Sequence, residues 1–487
     1  MERVLVALGS SQPAARSPQL AARSPQLAAR GSQLAARSPQ RNSPFSRYIR
    51  VTAARNLPSA LQMRFVLVTK YFTGLGFAIR LQDEGHDVVV AYTGIEDRRL
   101  QERYDRVGEG LVERRPLADV MADREQYRDA LWVWDENHSV AENESLRASG
   151  FRVLLGGTHA DTMEHDRDAC LAWVGQYGLK SPPSHAFSTA ADALSFVQEH
   201  PSVAYVFKPD TGENYETWVP ESYRAEAANR ELRAHLQSLS KDTPFILQER
   251  KDGVEANVEV WFVKGEPRFA FMCLESKKKL TGDLGDLVGC AFDFVFEVPL
   301  HCRAVTETVG LLFPAYRAME YTGFADANFI AARDGVWFFE KCERFGYNAH
   351  PNLFWTLNRE GLGQTLAALQ NGSFEPNFGP GFGASVTMYM DHPAPGKAIL
   401  LPDEVARDLY LMDVFREGKQ LQTAGYADAV LIATAFGYTI QAAWDVALSR
   451  ARQVIFAGRA FRIDGSGTEY PSSPLRRYEA LNAMRYL

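Results

Sequence analysis

The sequence predicts a multidomain protein that combines α/β with α+β architecture, and three observations predict it. The chain has 487 residues, 46% of them apolar, ample for several cores and about two to four domains. From Met63 on, short apolar runs alternate with helical stretches, the pattern of βαβ units around a parallel sheet. Farther along, β-type runs come in pairs joined by tight turns, as antiparallel hairpins require.

Charge narrows the function classes. Residues 1–62 carry nine Arg and one Glu, a net of +8, which leaves −15 on the rest to make the whole-chain −7. An acidic body argues against a nucleic-acid-binding surface. The five cysteines, Cys170, Cys273, Cys290, Cys302 and Cys342, are odd in number and include no Cys-x-x-Cys pair. That fits a reducing cytoplasm and gives no zinc signature. No run of about 18 apolar residues occurs, so no membrane span is expected.

Taken in order, the chain opens on a repeat. SPQLAAR occurs at 17–23 and 24–30, and GSQLAAR at 31–37. Proline and a lone Leu per unit rule out a coiled-coil seam. Such a segment buries too little apolar surface to order itself, so 1–62 is expected to be a disordered tail outside the fold. Its Arg- and Ser-rich, acid-poor composition is also that of an organelle transit peptide. Met63 then opens MRFVLV, a natural first strand.

Strands are expected at 65–69, 87–92, 131–134 and 151–155, with helices at 75–84 and 140–149. Gly74-x-Gly76 reads first as a tight strand-to-helix turn and only second as a nucleotide loop. A helix over 164–178 stops before Ser181-Pro182-Pro183, and a helix at 189–200 precedes a strand at 203–208. Runs 257–263 and 267–273 form a hairpin around Lys264-Gly265-Glu266, and a helix over 305–321 leads into a second hairpin. Beyond it come a helix at 361–370, a Gly-, Pro- and Asn-rich linker at 371–383, a strand at 427–436 and a helix at 439–453.

The second hairpin, NFIAARDGVWFFEKCERFG at 328–346, carries the chemistry. Arg333-Asp334-Gly335 fits a three-residue loop with its Gly in the left-handed position. That loop pairs 332 with 336, 328 with 340 and 326 with 342, and directly opposed residues share a face. One face then carries Asp326, Asn328, Glu340 and Cys342; the other offers Ala327, Phe329, Ala331, Trp337 and Phe339 to the core. Oxygen-bearing side chains gathered in this way suit Mg²⁺, which in turn holds phosphates. Arg344 lies just beyond. A two-residue loop would break this register.

Glu340-x-Cys342-x-Arg344-Phe345-Gly346, after Tyr321-Thr322-Gly323-Phe324, resembles the metal-binding strand of ATP-grasp ligases, most nearly that of phosphoribosylamine–glycine ligases. Cys342 stands where that family has Asn. The resemblance covers about 63–467 and is strongest from 245 on. It implies an ATP-grasp fold with an N-terminal parallel α/β domain at 63–160 and an ATP-grasp domain at 161–376 whose lid lies near 184–250. A small C-terminal α+β domain would follow at 377–487.

Site residues follow from the same resemblance. Glu340 and Asn328, with Asp326, would hold Mg²⁺, Mn²⁺ being the alternative ion. Lys208, at the end of a lid strand, would reach the nucleotide phosphates. FILQERKDGVE at 245–255 resembles the adenosine hinge, so Gln248 and Glu249 would face adenine. Glu255 would take the ribose hydroxyls, which suit an acceptor-only carboxylate. ESKKKLTGDLGDLVGC at 275–290 resembles the loop lining the amino-acid and phosphate site. Lys277 from that loop and Arg344 would be the catalytic cations.

Three departures stand out. TGENYETW at 211–218 replaces the lid's glycine loop, and Arg167 or Leu171 falls where the family has an upstream Lys. The loops that hold phosphoribosylamine read KYFTGLGF and DENHSVAEN here. The implied activity is ATP-dependent ligation, in which a carboxylate is activated as an acyl phosphate and attacked by an amine. In the family this joins glycine to phosphoribosylamine in purine biosynthesis, releasing ADP and phosphate. The altered loops keep open a ligase of another carboxylate and amine, and the lost glycines a non-catalytic nucleotide-binding relative. Expected partners are small molecules, without nucleic acid or membrane, for a cytoplasmic monomer or small homo-oligomer.

Overall fold

The computed structural model describes residues 62–487 apart from 210–216, 223, 240–243, 334, 468, 469 and 471. The expected tail lies outside the described residues but for Gln62, and so does most of the TGENYETW stretch.

The runs FVLV, VVVA and LWVW are apolar at every position, as strands covered on both faces must be. They form β1 (Arg64–Thr69), β2 (Asp87–Tyr92) and β4 (Leu131–Trp134) of a parallel sheet. Its edges are β3 (Glu113–Pro116) and β5 (Arg152–Leu154), in the order β3-β2-β1-β4-β5. The polar edge β3 has no apolar signal, and sequence reading missed it. Chain direction across the sheet reverses between β1 and β4, which opens a crevice at their C-terminal ends. Gly74 and Gly76 follow β1 for packing reasons. A Cβ at Gly74 would sit 2.9 Å from the Asp135 carboxylate, and one at Gly76 would sit 2.5 Å from the Tyr410 ring.

A second sheet comprises β6 (Ser184–Phe187), β7 (Tyr205–Pro209) and β8 (Phe245–Glu249), antiparallel in the order β6-β8-β7. It has its own core, with Val197, Tyr205, Phe207, Leu232, Phe245 and Leu247 at its centre.

The rest of the chain supplies β9 (Val254–Val263), β10 (Glu266–Leu280), β11 (Leu284–Glu297), β12 (Gly323–Ala332), β13 (Gly335–Glu340) and β14 (Phe382–Met390). After these come β15 (Ala398–Ile399), β16 (Leu409–Leu411), β17 (Val414–Glu417), β18 (Gln420–Thr423), β19 (Ala429–Gly437) and β20 (Arg459–Ala460). One long antiparallel sheet runs β13-β12-β9-β10-β11-β14-β19-β16, with β20 also on β14, while β15, β18 and β17 form a small sheet.

Several expectations are corrected. Residues 275–290 are not a loop: β10 and β11 continue across them as one hairpin, with register shifts between Ser276 and Leu280. Cross-strand pairing, rather than the charged side chains of the lysine triplet, decides the backbone there. The expected boundary at 377 does not interrupt the sheet, because Val386 of β14 lies opposite Phe292 of β11. The single helix expected at 164–178 is two, Thr158–His165 and Arg167–Gln176. Between them the Asp166 carboxylate accepts from the Ala169 N–H and caps the second. The helix expected at 305–321 is likewise broken into Arg303–Thr306, a 3₁₀ turn at Val309–Leu312, and Phe313–Ala318 with Pro314 in its first turn.

A C-terminal helix, Pro474–Ala483, braces the sheet. Its buried Arg477 donates to the carbonyls of Glu255 and Glu275, so it ties β9 to β10 beside the expected site. No helix among the described residues is long and apolar enough to cross a membrane. All five cysteines are free.

Past β13 the chain stays extended, and alternate side chains turn inward. Lys341 and Glu343 are both fully buried, 3.0 Å apart. Tyr316 donates to the same Glu343 oxygen at 2.6 Å, and His159 Nε2 lies 3.3 Å from it. Burial alone would raise the Glu343 carboxyl, but Lys341 and His159 outweigh it and hold the group near about 2. Its contribution to stability is therefore present above the usual carboxylate range and lost as pH falls toward about 2. Lys341→Met strands a buried carboxylate and should destabilise the fold by about 3–5 kcal/mol, read as a lower midpoint in urea unfolding.

Candidate functional site

The organising hairpin reaches its expected pairing by another route. Ala332 lies opposite Gly335, so two residues separate the strands rather than three. Near the tip the register is thus shifted by one, and Val336 and Phe338 point into the core in place of Trp337 and Phe339. A bulge between Asn328 and Phe329 then restores Asn328 opposite Glu340. The displaced aromatics become platforms for cations: Lys251 Nζ stands 4.4 Å from the Trp337 ring centre, and Lys208 Nζ 5.3 Å from that of Phe339.

On the polar face, Asn328 donates its amide nitrogen to Asp326 at 3.0 Å. Asp326 also accepts from the Asn257 side chain at 2.8 Å and from the Cys342 backbone N–H. Burial pushes its carboxyl up to about 8 against these donors and Lys341. Asp326 is thus turned into the sheet, with its acceptors in use. Glu340 is exposed, and the Cys342 sulfur lies 4.0 Å from its Oε1. Among the described residues no three His, Cys, Asp or Glu side chains form a ready metal cage.

Beside Glu340 the sheets bring cations together. Lys208 ends β7 and is 9% exposed. Burial first, then Arg167 and Lys277, lower its pKa to about 8, while Glu340 and Glu255 oppose this. Lys277 lies 3.6 Å from Glu255 and 3.7 Å from Glu275. Burial would lower Lys277, yet Glu255, Glu275 and Glu340 outweigh it and raise its pKa. Lys277 thus pairs with Glu255 and Glu275, and Lys208 feels the charges of Arg167, Lys277, Glu340 and Glu255. Of the two residues at the upstream position, Arg167 faces this cluster, while Leu171 packs on the core.

Gln248 and Glu249 lie on β8, opposite Val206 and Tyr205 of β7. Gln248 is buried and donates to Ser184 at 3.2 Å, and Glu249 pairs with Lys251 at 2.7 Å.

Arg344 belongs to a different cluster. Its Nε and Nη2 donate to Glu164 Oε1 at 3.0 and 2.8 Å, and its guanidinium stands over Tyr347. Glu136, at the end of β4, lies close enough to feel both Arg344 and Glu164. Burial, then Asp135, raises the Glu136 carboxyl to about 8. Sequence reading placed 135–143 at a substrate loop and 275–290 along the site but singled out neither Glu136 nor Glu275, and it missed Glu164. The signal for Glu136 was present: four polar residues directly after a wholly apolar strand, where an open parallel sheet binds its ligands.

The geometry makes Asp326 a positioning residue for Asn328. Asp326→Ala should raise the Mg²⁺ concentration that half-saturates nucleotide binding by about tenfold or more, read by calorimetry with an ATP analogue. An unchanged Mg²⁺ requirement in a folded variant would remove that role.

No protein-family model matches the sequence, and no curated protein matches it. Solved structures do match. Phosphoribosylamine–glycine ligase from Thermotoga maritima superposes with a TM-score of 0.61 at 17% identity, covering 82% of this chain and 99% of that one. The biotin carboxylase domain of Hydrogenobacter thermophilus 2-oxoglutarate carboxylase, solved with MgADP and bicarbonate, gives 0.55 at 11%, covering 82% and 92%. Phosphoribosylglycinamide synthetase from Anaerococcus prevotii gives 0.50 at 13%, covering 81% and 99%. These are ATP-grasp enzymes, and the parallel sheet, the small antiparallel sheet and the long sheet of this protein together form the ATP-grasp fold.

Proposed function

We propose that the protein is an ATP-dependent carboxylate–amine ligase, built like phosphoribosylamine–glycine ligase and working through an acyl phosphate. One observation carries this reading: Lys208, Lys277 and Arg167 converge beside Glu340, with the Lys208 charge disfavoured until an anion arrives. A polyphosphate supplies that anion. Glu340 and the side-chain oxygen of Asn328 are hard donors that fit Mg²⁺ or Mn²⁺, with Asp326 holding the Asn328 amide in place. When bound, the ion would neutralise charge on the transferred phosphoryl oxygens.

The chain's own groups take the remaining roles. Lys208 on β7 and Lys277 on β10 approach the phosphates from two different sheets, and Arg167 adds a third cation. Glu255 keeps Lys277 charged and oriented and offers acceptors to ribose hydroxyls. Gln248 and Glu249 line the adenine side, from the strand paired with the one that ends in Lys208. The sheet β6-β8-β7, with its separate core, serves as the lid. Arg344, its direction set by Glu164, would steady the acyl phosphate as the amine attacks. The reading includes a cytoplasmic enzyme acting on small molecules, and it deepens the likeness to purine-pathway ligases in architecture rather than in substrate.

Glu340→Ala should abolish Mg²⁺-dependent ADP release with the circular dichroism spectrum unchanged; full turnover in that variant would refute the metal assignment. A second outcome concerns pH. Lys208 titrates at about 8 before nucleotide binds, facing Arg167, Lys277, Glu340 and Glu255. Phosphate favours its charged form, so ATP affinity should be flat below about 8 and fall above it by up to about tenfold per pH unit. Lys208→Arg, which stays charged, should flatten that limb.

A further inference from the structure

The ladder between β9 and β10 stops short of the ends of both strands. Its last pair is Asn257 opposite Cys273. On the far side of Asn257, β9 stays paired with β12 as far as Val254 opposite Ala331. Beyond Cys273, β10 stays paired with β11 as far as Leu280 opposite Leu284. Each strand thus keeps its outer neighbour while the two part from one another, and a fork opens in the long sheet at Glu255 and Glu275.

Backbone groups along the inner edges of such a fork lack ladder partners and need others. Arg477 supplies them. Its Nη2 donates to the Glu275 carbonyl at 2.7 Å and to the Ser276 hydroxyl at 3.3 Å, and its Nη1 donates to the Glu255 carbonyl at 3.3 Å. One guanidinium therefore spans the fork.

It does so from the face away from the nucleotide cluster. Leu481 and Tyr486, from the same C-terminal segment, belong to the core built by Ala256, Leu274 and Phe329. Glu255 and Glu275, each offset by one residue from that core, turn to the other face. There Lys277 lies 3.6 Å from Glu255 and 3.7 Å from Glu275. Arg477 and Lys277 thus hold the same two residues from opposite faces, one by their main chain and the other by their side chains.

The helix that carries Arg477 is anchored on both sides. Before it, the fully buried Arg462 side chain pairs with Asp283 at 2.6 Å and Asp464 at 2.7 Å and donates to the Lys278 carbonyl at 3.1 Å. After it, the Tyr486 hydroxyl donates to the Ala332 carbonyl at 2.9 Å. For bracing alone an arginine is a costly choice. Arg477 is 7% exposed, and its Nε has no hydrogen-bond partner among the described residues. A well-packed apolar side chain would hold two strands with less desolvation. What the guanidinium adds is direction, because it fixes two carbonyls and with them the course of the side chains at Glu255 and Glu275.

We propose that Arg477 is a positioning residue of the ligase: from the far face of the sheet it sets the width of the fork at Glu255 and Glu275, and so places Lys277 against the phosphates of the nucleotide. The inference rests on the ligase reading above and extends the site's requirements to a segment past residue 467, where the family resemblance ends.

The test uses the full chain. Calorimetry with Mg²⁺ and the ATP analogue AMP-PNP compares the parent, Arg477→Lys, Lys277→Met and the double variant. Lysine keeps the charge but lacks the planar fork that spans two carbonyls. Arg477→Lys is expected to weaken AMP-PNP about tenfold when Lys277 is present and less than about twofold when it is Met, because the two act as one unit. Equal losses in both backgrounds overturn the inference, and so does unchanged affinity in a folded Arg477→Lys. Leu481→Ala loosens the same helix without touching the guanidinium. It should lower the urea midpoint at least as far as Arg477→Lys does, yet keep AMP-PNP affinity within about twofold of the parent. Affinity that follows the midpoint in both variants makes Arg477 a brace only and overturns the proposal. Should Arg477→Lys fail to fold, Ser276→Ala removes one acceptor of the guanidinium and repeats the cycle more mildly. A loss of about threefold that vanishes in Lys277→Met is then expected, and no loss overturns the proposal. Hydroxylamine trapping judges the ligase reading separately. With ATP, Mg²⁺ and a panel of carboxylates, hydroxamate from the parent supports that reading, and Arg477→Lys should then lower kcat about tenfold. A parent that binds AMP-PNP but yields no hydroxamate with any carboxylate rejects the ligase reading alone, and the binding cycle still decides whether Arg477 places Lys277.

Discussion

Everything at the centre of this protein depends on how one extended segment, residues 340–344, divides its charges. Side chains alternate along an extended chain. Lys341 and Glu343 go inward and neutralise each other at 3.0 Å with no exposure to water. Glu340, Cys342 and Arg344 are thereby forced to the other side, toward the nucleotide cluster and the crevice. The buried pair is costly to desolvate, and the Tyr316 hydroxyl and the Asp326 carbonyl each give it a hydrogen bond, while Glu343 Oε2 has none among the described residues. The interaction that orients the segment therefore also anchors it to β12 and to the helix before it.

Two clusters hang on that segment. Glu340 faces Lys208, Lys277 and Arg167, where carboxylates and cations are in balance and one lysine is held at the edge of losing its proton. Arg344 faces Glu164 and the acidic loop after β4. Cys342 sits between them and feels charges from both sides. Both clusters thus touch one extended segment of five residues, 340–344. The long sheet holds part of the geometry, because β13, β12, β9 and β10, which carry Glu340, Asn328, Glu255 and Lys277, follow one another in it. Arg477 of the C-terminal helix pins two of them from behind.

The acidic character of the crevice and the likeness to phosphoribosylamine–glycine ligases belong to different levels. The superposition with the Thermotoga maritima enzyme concerns backbone over nearly all of its length. Substrate choice concerns which donors and acceptors are left over once the fold has used what it needs. At the end of β4 the buried atoms left without a hydrogen-bond partner among the described residues are Asp135 Oδ1, Glu136 Oε1, Asn137 Oδ1 and His138 Nε2.

Much was legible in the sequence alone. Apolar runs separated by helical stretches announced the parallel sheet, while its strand order came only from the structure. The polar face of the hairpin was legible because Asp326, Asn328 and Glu340 share a period of two, and the segments around Lys208, Gln248 and Glu255 carried family spacing. Only the tertiary structure decided the rest. The loop at 333–334 is one residue shorter than its composition suggests, and a bulge two turns of pleat away cancels the slip, so Asn328 still meets Glu340 while Trp337 and Phe339 change faces. The strand character of 275–290 comes from a partner strand rather than from local side chains. The commitment of Asp326 to Asn257 and the Cys342 amide, and the freedom of Asp135 and Glu136, depend on which distant groups arrive beside them. A carboxylate's role is set by the donors left around it, and those donors come from strands far apart in the chain.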